Sequence, residues 1–101
     1  ESTIIPYLDG VAGTTASVSS SLVAGTGVLT IGAGATNSNF WKGNICNVGI
    51  WSAVLTQAQI KSIMWKNYAG LTSSETTNLV SWWNLSANAN DDHGSNNGTL
   101  T

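Results

Sequence analysis

The sequence predicts an all-β protein, an antiparallel β-sandwich carrying one short helix, and three observations predict it. The 101-residue chain is 42% apolar yet only 8% charged, against roughly 25% charged in ordinary soluble domains, so its polar surface must come from Ser, Thr, Asn and Gly. That composition suits secreted, virion and fibre proteins and suits cytosolic helical enzymes poorly. The apolar runs are short and punctuated by Gly, Asn and Asp, as strands joined by turns are. One stretch alone, after Thr56, shows a capped helical pattern. The length gives room for one domain and one core.

Thr3 to Leu8 reads as a strand in which Pro6, unable to donate to a ladder, marks an edge or a bulge. Asp9-Gly10 is a hairpin signal, because a type I′ turn needs positive φ at both central residues. Val11 to Gly27 reads as a strand followed by a loose loop, with Val18, Leu22 and Val23 as its bulky anchors. Val28 to Gly32 predicts a further strand, and Ala33 to Asn39 a polar loop leading into Phe40-Trp41.

The rest of the chain is organised around Phe40 to Ile60. From Gly43 to Trp51, Ile45, Asn47, Gly49 and Trp51 alternate with Asn44, Cys46, Val48 and Ile50. Both faces carry apolar residues, which predicts a central strand of a packed sheet. Cys46, the one cysteine, cannot close an intrachain disulfide and reads as a small buried hydrophobe of that strand. Thr56 followed three residues later by Gln59 is a capping-box arrangement, and the helix is expected from about Gln57 to Asn67, with Gly70 as its stop. Ile60, Ile63 and Met64 form the stripe that must lie on the sheet. Leu71 to Asn78 reads as a polar connector with Glu75 solvated. Leu79 to Leu85 is the last substantial strand, with Trp82 and Trp83 on opposite faces, one expected in the core and the other outward. Ser86 to Gly98 is a loop rich in Asn, Asp and Gly.

Several of these residues resemble the C-terminal signature of laminin-G-like, concanavalin A-like jelly-roll modules. Gly43, Ile45, Val48, Ile50, Trp51, Leu55, Thr56 and Ile60 hold the positions of that pattern. Tyr7-Leu8-Asp9-Gly10 is similar to its late hairpin, and Leu79 to Thr101 to its Trp-containing strand and Asn-Gly loop. Cys46 and Asn47 replace the usual acidic pair, and Gly49 the usual Arg. The resemblance implies a longer module with several preceding strands, so 1–101 is expected to be one partial sandwich completed by unseen residues or by another chain. Residues 79–101 are expected to complete that sandwich, the alternative being that they open a tandem copy.

Candidate chemistry is sparse. Glycoside hydrolysis needs two carboxylates a few ångströms apart, and Glu1, Asp9, Glu75, Asp91 and Asp92 form no alternating set on a strand. His93, the one histidine, reads as a solvated loop residue, and no Gly-x-Ser-x-Gly elbow places a nucleophile. No enzyme activity is therefore expected. Asp91, Asp92, Asn96 and Asn97 group hard oxygens of the kind calcium takes, and similar loops hold calcium in some relatives. Among five tryptophans, Trp51 is expected in the core, Trp65 lies near the helix end, and Trp41 and Trp83 are the candidate ligand platforms, for subunit packing or for sugar rings. Asn84-Leu85-Ser86 and Asn97-Gly98-Thr99 match the glycosylation pattern. Three basic residues, Lys42, Lys61 and Lys66, against a net charge of −2 leave no footprint for nucleic acid, and no apolar run reaches the roughly 20 residues that span a bilayer.

Two function classes follow. The first is a non-catalytic module on an extracellular, cell or virion surface (a decoration or tail-fibre protein, or a secreted adhesin), assembled with other chains and weakly carbohydrate-binding. The alternative is the C-terminal piece of a concanavalin A-like glycan-processing enzyme whose catalytic residues lie outside this chain.

Overall fold

A computed structural model of the chain describes residues 2–18, 25–34, 36 and 38–101. The described residues form six short strands and one α-helix, with every ladder antiparallel. This is the expected all-β arrangement, present in part: the ladders are two-stranded and no closed sandwich forms among the described residues.

The chain opens with an interrupted hairpin. Strand β1 (Ser2–Ile4) pairs with β4 (Ala16–Val18), and β2 (Tyr7–Leu8) with β3 (Val11–Ala12). Between the two ladders, Ile5 and Pro6 face three residues, Gly13 to Thr15, so one extra residue bulges on the returning arm. Pro6 has no N–H to give, but its carbonyl accepts the Gly13 N–H at 2.7 Å. The turn at Asp9 (φ 52°) and Gly10 (φ 78°) is left-handed at both residues, as its sequence requires. Gly10 is buried where the tip docks on the helix: its carbonyl accepts the Gln57 side-chain amide, and a Cβ there would lie 2.7 Å from Lys61 Cγ.

Strand β5 (Val48–Trp51) pairs with β6 (Leu79–Trp83), with a bulge at Val80. The expected strand from Gly43 is shorter, because Asn47 adopts a left-handed φ of 53° and turns the chain away from the ladder. Cys46 consequently lies exposed rather than buried. Val28 to Gly32 is likewise not a strand: it belongs to no ladder, and Val28 and Leu29 are exposed. Of the bulky anchors expected in 11–27, Leu22 and Val23 fall outside the described residues.

Helix α1 (Gln57–Ile63) starts where expected. The Thr56 hydroxyl accepts the Gln59 N–H at 3.2 Å, and the Gln59 side chain accepts the Thr56 N–H at 2.8 Å. It ends earlier than expected. A separate 3₁₀ turn, Tyr68–Gly70, follows, with the Asn67 side chain capping it. Ile63 meets Leu79 and Trp82 in the core, with Trp51, Leu55, Tyr68 and Leu71 packed around them. Trp51 stands edge-on to Trp82, ring centres 5.9 Å apart at 86°.

Candidate functional site

The β5–β6 ladder has two faces. On one, Gly49, Trp51, Leu79 and Trp82 meet the helix. Gly49 takes the place of the Arg usual in the resembling modules for a steric reason: a Cβ there would lie 2.6 Å from the Trp82 ring and 2.7 Å from the Trp51 ring. On the other face, Ile50, Ser81 and Trp83 form the floor of an apolar cleft of about 1130 Å³, walled by Val28, Leu29, Ile31 and Leu100. No charged side chain is among the described residues lining it.

Trp82 and Trp83 do lie on opposite faces, but neither points outward. Trp82 is 2% exposed and Trp83 6%. The C-terminal tail folds back over Trp83, and the indole N–H donates to the Asn96 carbonyl at 2.9 Å. Trp83 therefore shows no open platform, which corrects the expectation of one core and one outward indole. Trp51 is half-buried, its N–H donating to the Glu75 carbonyl at 2.7 Å.

Trp41 is placed differently. It is 65% exposed beside an equally exposed Phe40. Its backbone is pinned, since the Trp41 N–H donates to the Gly32 carbonyl at 2.8 Å. The indole folds over Gly43, where a Cβ would sit 3.1 Å from Nε1, and Gly43 holds a φ of 150°. Two adjacent exposed aromatic side chains thus stand on an anchored loop. Trp65, after the helix, is also exposed.

The Asp91–Asn97 loop is built around a buried carboxylate. Asp91 Oδ1 accepts the N–H groups of Trp82, His93 and Gly94 at 2.8 to 3.1 Å, and Oδ2 accepts the Asn96 N–H at 3.0 Å. Burial pushes the Asp91 carboxyl up, but the Gly94, Trp82 and Asn96 amides, with the Ser81 hydroxyl, outweigh it and hold the group well below the usual carboxylate range. Asp92 Oδ2 accepts the Asn84 N–H, Asn97 Oδ1 accepts the Asp91 N–H, and the Asn96 amide donates to Ser81. Both Asp91 oxygens and Asn97 Oδ1 thus accept from the chain's own amides, whereas Asp92 Oδ1 and Asn96 Oδ1 take no hydrogen bond among the described residues. Among the described residues no group of three or more His, Cys, Asp or Glu side chains is arranged to hold a metal ion. His93 sits on the rim, exposed as expected, its Nδ1 sharing a 2.9 Å hydrogen bond with the Tyr68 hydroxyl. Of the two glycosylation-pattern asparagines, Asn84 is committed internally, its Oδ1 accepting the Trp82 indole N–H and the Tyr68 N–H.

Glu75 is a second buried carboxylate, and not the solvated connector residue expected. It is 5% exposed. Lys66 Nζ donates to Oε1 and the Ser62 hydroxyl to Oε2, each at 2.7 Å, and the Thr72 N–H donates to Oε1 at 2.9 Å. Lys66, then Thr72 and Ser62, lower its pKa from 4.5 to about 2. The sequence carried the signal: Thr72-Ser73-Ser74-Glu75 is a capping box, and the Glu75 N–H returns to the Thr72 hydroxyl. No apolar helical run follows it, which hid its role. Although Ser62, Lys66 and Glu75 meet, the carboxylate takes both donors, so the cluster ties the helix to the connector and leaves no free base beside the hydroxyl.

A partial antiparallel all-β module with an apolar cleft and an anchored aromatic loop defines the class of protein. The chain belongs to the concanavalin A-like lectin/glucanase superfamily: a laminin G family model of that description matches residues 1–61. The match spans the hairpin, the Trp41 loop, β5 and the start of α1. Neither a curated protein nor a solved structure matches the chain significantly.

Proposed function

We propose that this chain is a non-catalytic module of an extracellular, cell or virion surface, with a structural and attachment role and weak carbohydrate binding at Trp41. The observation that carries the reading is the Phe40-Trp41 pair, exposed on a loop whose backbone is held at Gly32. An indole face offers a sugar ring a large apolar contact at little cost in side-chain entropy, because its rotamer is already braced over Gly43. The family description supports a saccharide as the ligand class, and the low charge points to a neutral one. The tying of Glu75 and Asp91 into internal hydrogen bonds supports a role without hydrolysis. No helix among the described residues is long and apolar enough to cross a membrane.

The test is titration with a panel of neutral oligosaccharides, read by tryptophan fluorescence. A dissociation constant of about 1 mM, corresponding to about 4 kcal/mol, is expected for one aromatic platform. Trp41→Ala removes the response and leaves the near-UV signal of the Trp51–Trp82 pair unchanged. A response that persists in Trp41→Ala, or none with any sugar of the panel, refutes the reading.

A further inference from the structure

We propose that Asn97-Gly98 is a self-modifying site, at which Asn97 deamidates through a succinimide when the C-terminal tail lifts, and that its isoaspartate product uncovers Trp83. The inference goes beyond the attachment role, and neither stands or falls with the other. The chemistry needs only these two residues and water. The Gly98 backbone nitrogen attacks Asn97 Cγ and closes the succinimide ring. The side-chain nitrogen leaves as ammonia, taking up through water the proton that Gly98 gives. Water then opens the ring at either carbonyl, giving aspartate, or isoaspartate with the main chain routed through Cγ. Glycine has no Cβ to hinder the attack, and 97–98 is the one Asn-Gly pair of the chain.

The fold sets both reacting atoms. Asn97 Oδ1 accepts the Asp91 N–H at 2.9 Å. An amide donor there polarises the Cγ carbonyl and meets the charge that develops on its oxygen as Gly98 attacks. The nucleophile, in contrast, is held. The Gly98 N–H donates to the Ala89 carbonyl at 2.7 Å, and a Cβ on Gly98 would lie 3.1 Å from both that oxygen and Ala89 Cβ. So gripped, the Gly98 amide cannot turn its nitrogen onto Cγ. The electrophile is primed and the nucleophile locked, and the rate is governed by local opening of the Gly98–Ala89 hydrogen bond.

The product matters because of what the tail covers. The Trp83 indole N–H donates to the Asn96 carbonyl, and the Asn96 N–H to Asp91 Oδ2 at 3.0 Å. Isoaspartate at 97 lengthens the main chain between Asn96, held at Asp91, and Gly98, held at Ala89. It also withdraws the oxygen that the Asp91 N–H addresses. The tail then no longer fits the spacing of its two anchors, and the Trp83 hydrogen bond is lost. Aspartate at 97 keeps the backbone length and still offers an oxygen to the Asp91 N–H, so it leaves Trp83 covered.

Ageing the full chain in mildly alkaline buffer, native and in urea, tests the proposal. Peptide mapping by mass spectrometry locates the deamidated residue, and methylation by an isoaspartyl methyltransferase measures isoaspartate. Modification at Asn97 is expected in both samples, slower in the native one by at least about tenfold, the weight of one hydrogen bond that must first break. Exchange of the Trp83 indole N–H, followed by NMR, should quicken in the isoaspartate form and stay slow in Asn97→Asp. Asn97→Gln, whose longer side chain closes the ring poorly, should remain unmodified at that position. Equal rates in the native and urea-treated samples overturn the proposal. So does deamidation of another asparagine ahead of Asn97, or an isoaspartate form in which the Trp83 N–H stays protected.

Discussion

Replacing Glu75 by Gln keeps the shape of the side chain and removes the charge that three donors address. Lys66 and Ser62 approach its carboxylate at 2.7 Å, and Thr72 at 2.9 Å. The folded state lowers the Glu75 pKa from 4.5 to about 2. At 1.36 kcal/mol per pKa unit, that depression corresponds to about 3 kcal/mol. Because the folded pKa lies below the unfolded one, the contribution is present in full above pH 4.5 and is lost as pH falls towards 2. Glu75→Gln should therefore cost about 2–3 kcal/mol at neutral pH, a fall in Tm of about 10–20 °C for a domain of this size. Urea unfolding of both proteins, followed by tryptophan fluorescence from pH 7 to pH 2, measures it. The gap should stay constant down to about pH 4.5 and close below that. A gap under about 0.5 kcal/mol at pH 7, within the range of ordinary surface substitutions, or one that does not narrow in acid, refutes the assignment of Glu75 as the clamp between helix and connector.

Other outcomes follow from the same geometry. Gly49→Ala places a methyl group 2.6 Å from the Trp82 ring and should cost about 1–3 kcal/mol by denaturant unfolding, with a changed near-UV spectrum as the two indoles part. Asp91→Asn turns an amide donor against the N–H of Asn96 or of Trp82, His93 and Gly94, and should cost about 1.5–3 kcal/mol. Hydrogen exchange at those amides should quicken with it. Cys46→Ser, at an exposed site, should change stability by less than about 0.5 kcal/mol; a larger loss would show that the thiol is covered in solution.

Where a feature depended on neighbours in sequence, it was legible. The Asp9-Gly10 turn, the Pro6 bulge and the Thr56–Gln59 box are each local arrangements of backbone and side chain, and each stands where its residues placed it. The Thr72–Glu75 box is equally local, but no apolar helical run follows it to mark it in the sequence. Strands fared worse. Val28–Gly32 and Gly43–Asn47 have the composition of strands, but a strand exists only where another chain segment takes its hydrogen bonds, and alternation names no partner. Trp41 is exposed and Trp83 is not, since what covers Trp83 is a tail returning to its face of the sheet.

By itself, then, the sequence determined the class: too few charges for anything but a Ser-, Thr- and Asn-rich surface, one capped helix, one tight hairpin, and a strand ending at Trp51 in a pattern of the laminin G type. Only the tertiary structure decided which polar groups are buried and what they hold. Glu75 reads as a solvated connector residue and Asp91 as one of the hard oxygens of a polar loop. They are buried because the folded chain assembles three and four donors around each, and a charge so surrounded is more stable inside than out. That gathering brings together donors from separate segments, Lys66 on Glu75 and Trp82 on Asp91, and the one-dimensional pattern does not contain it.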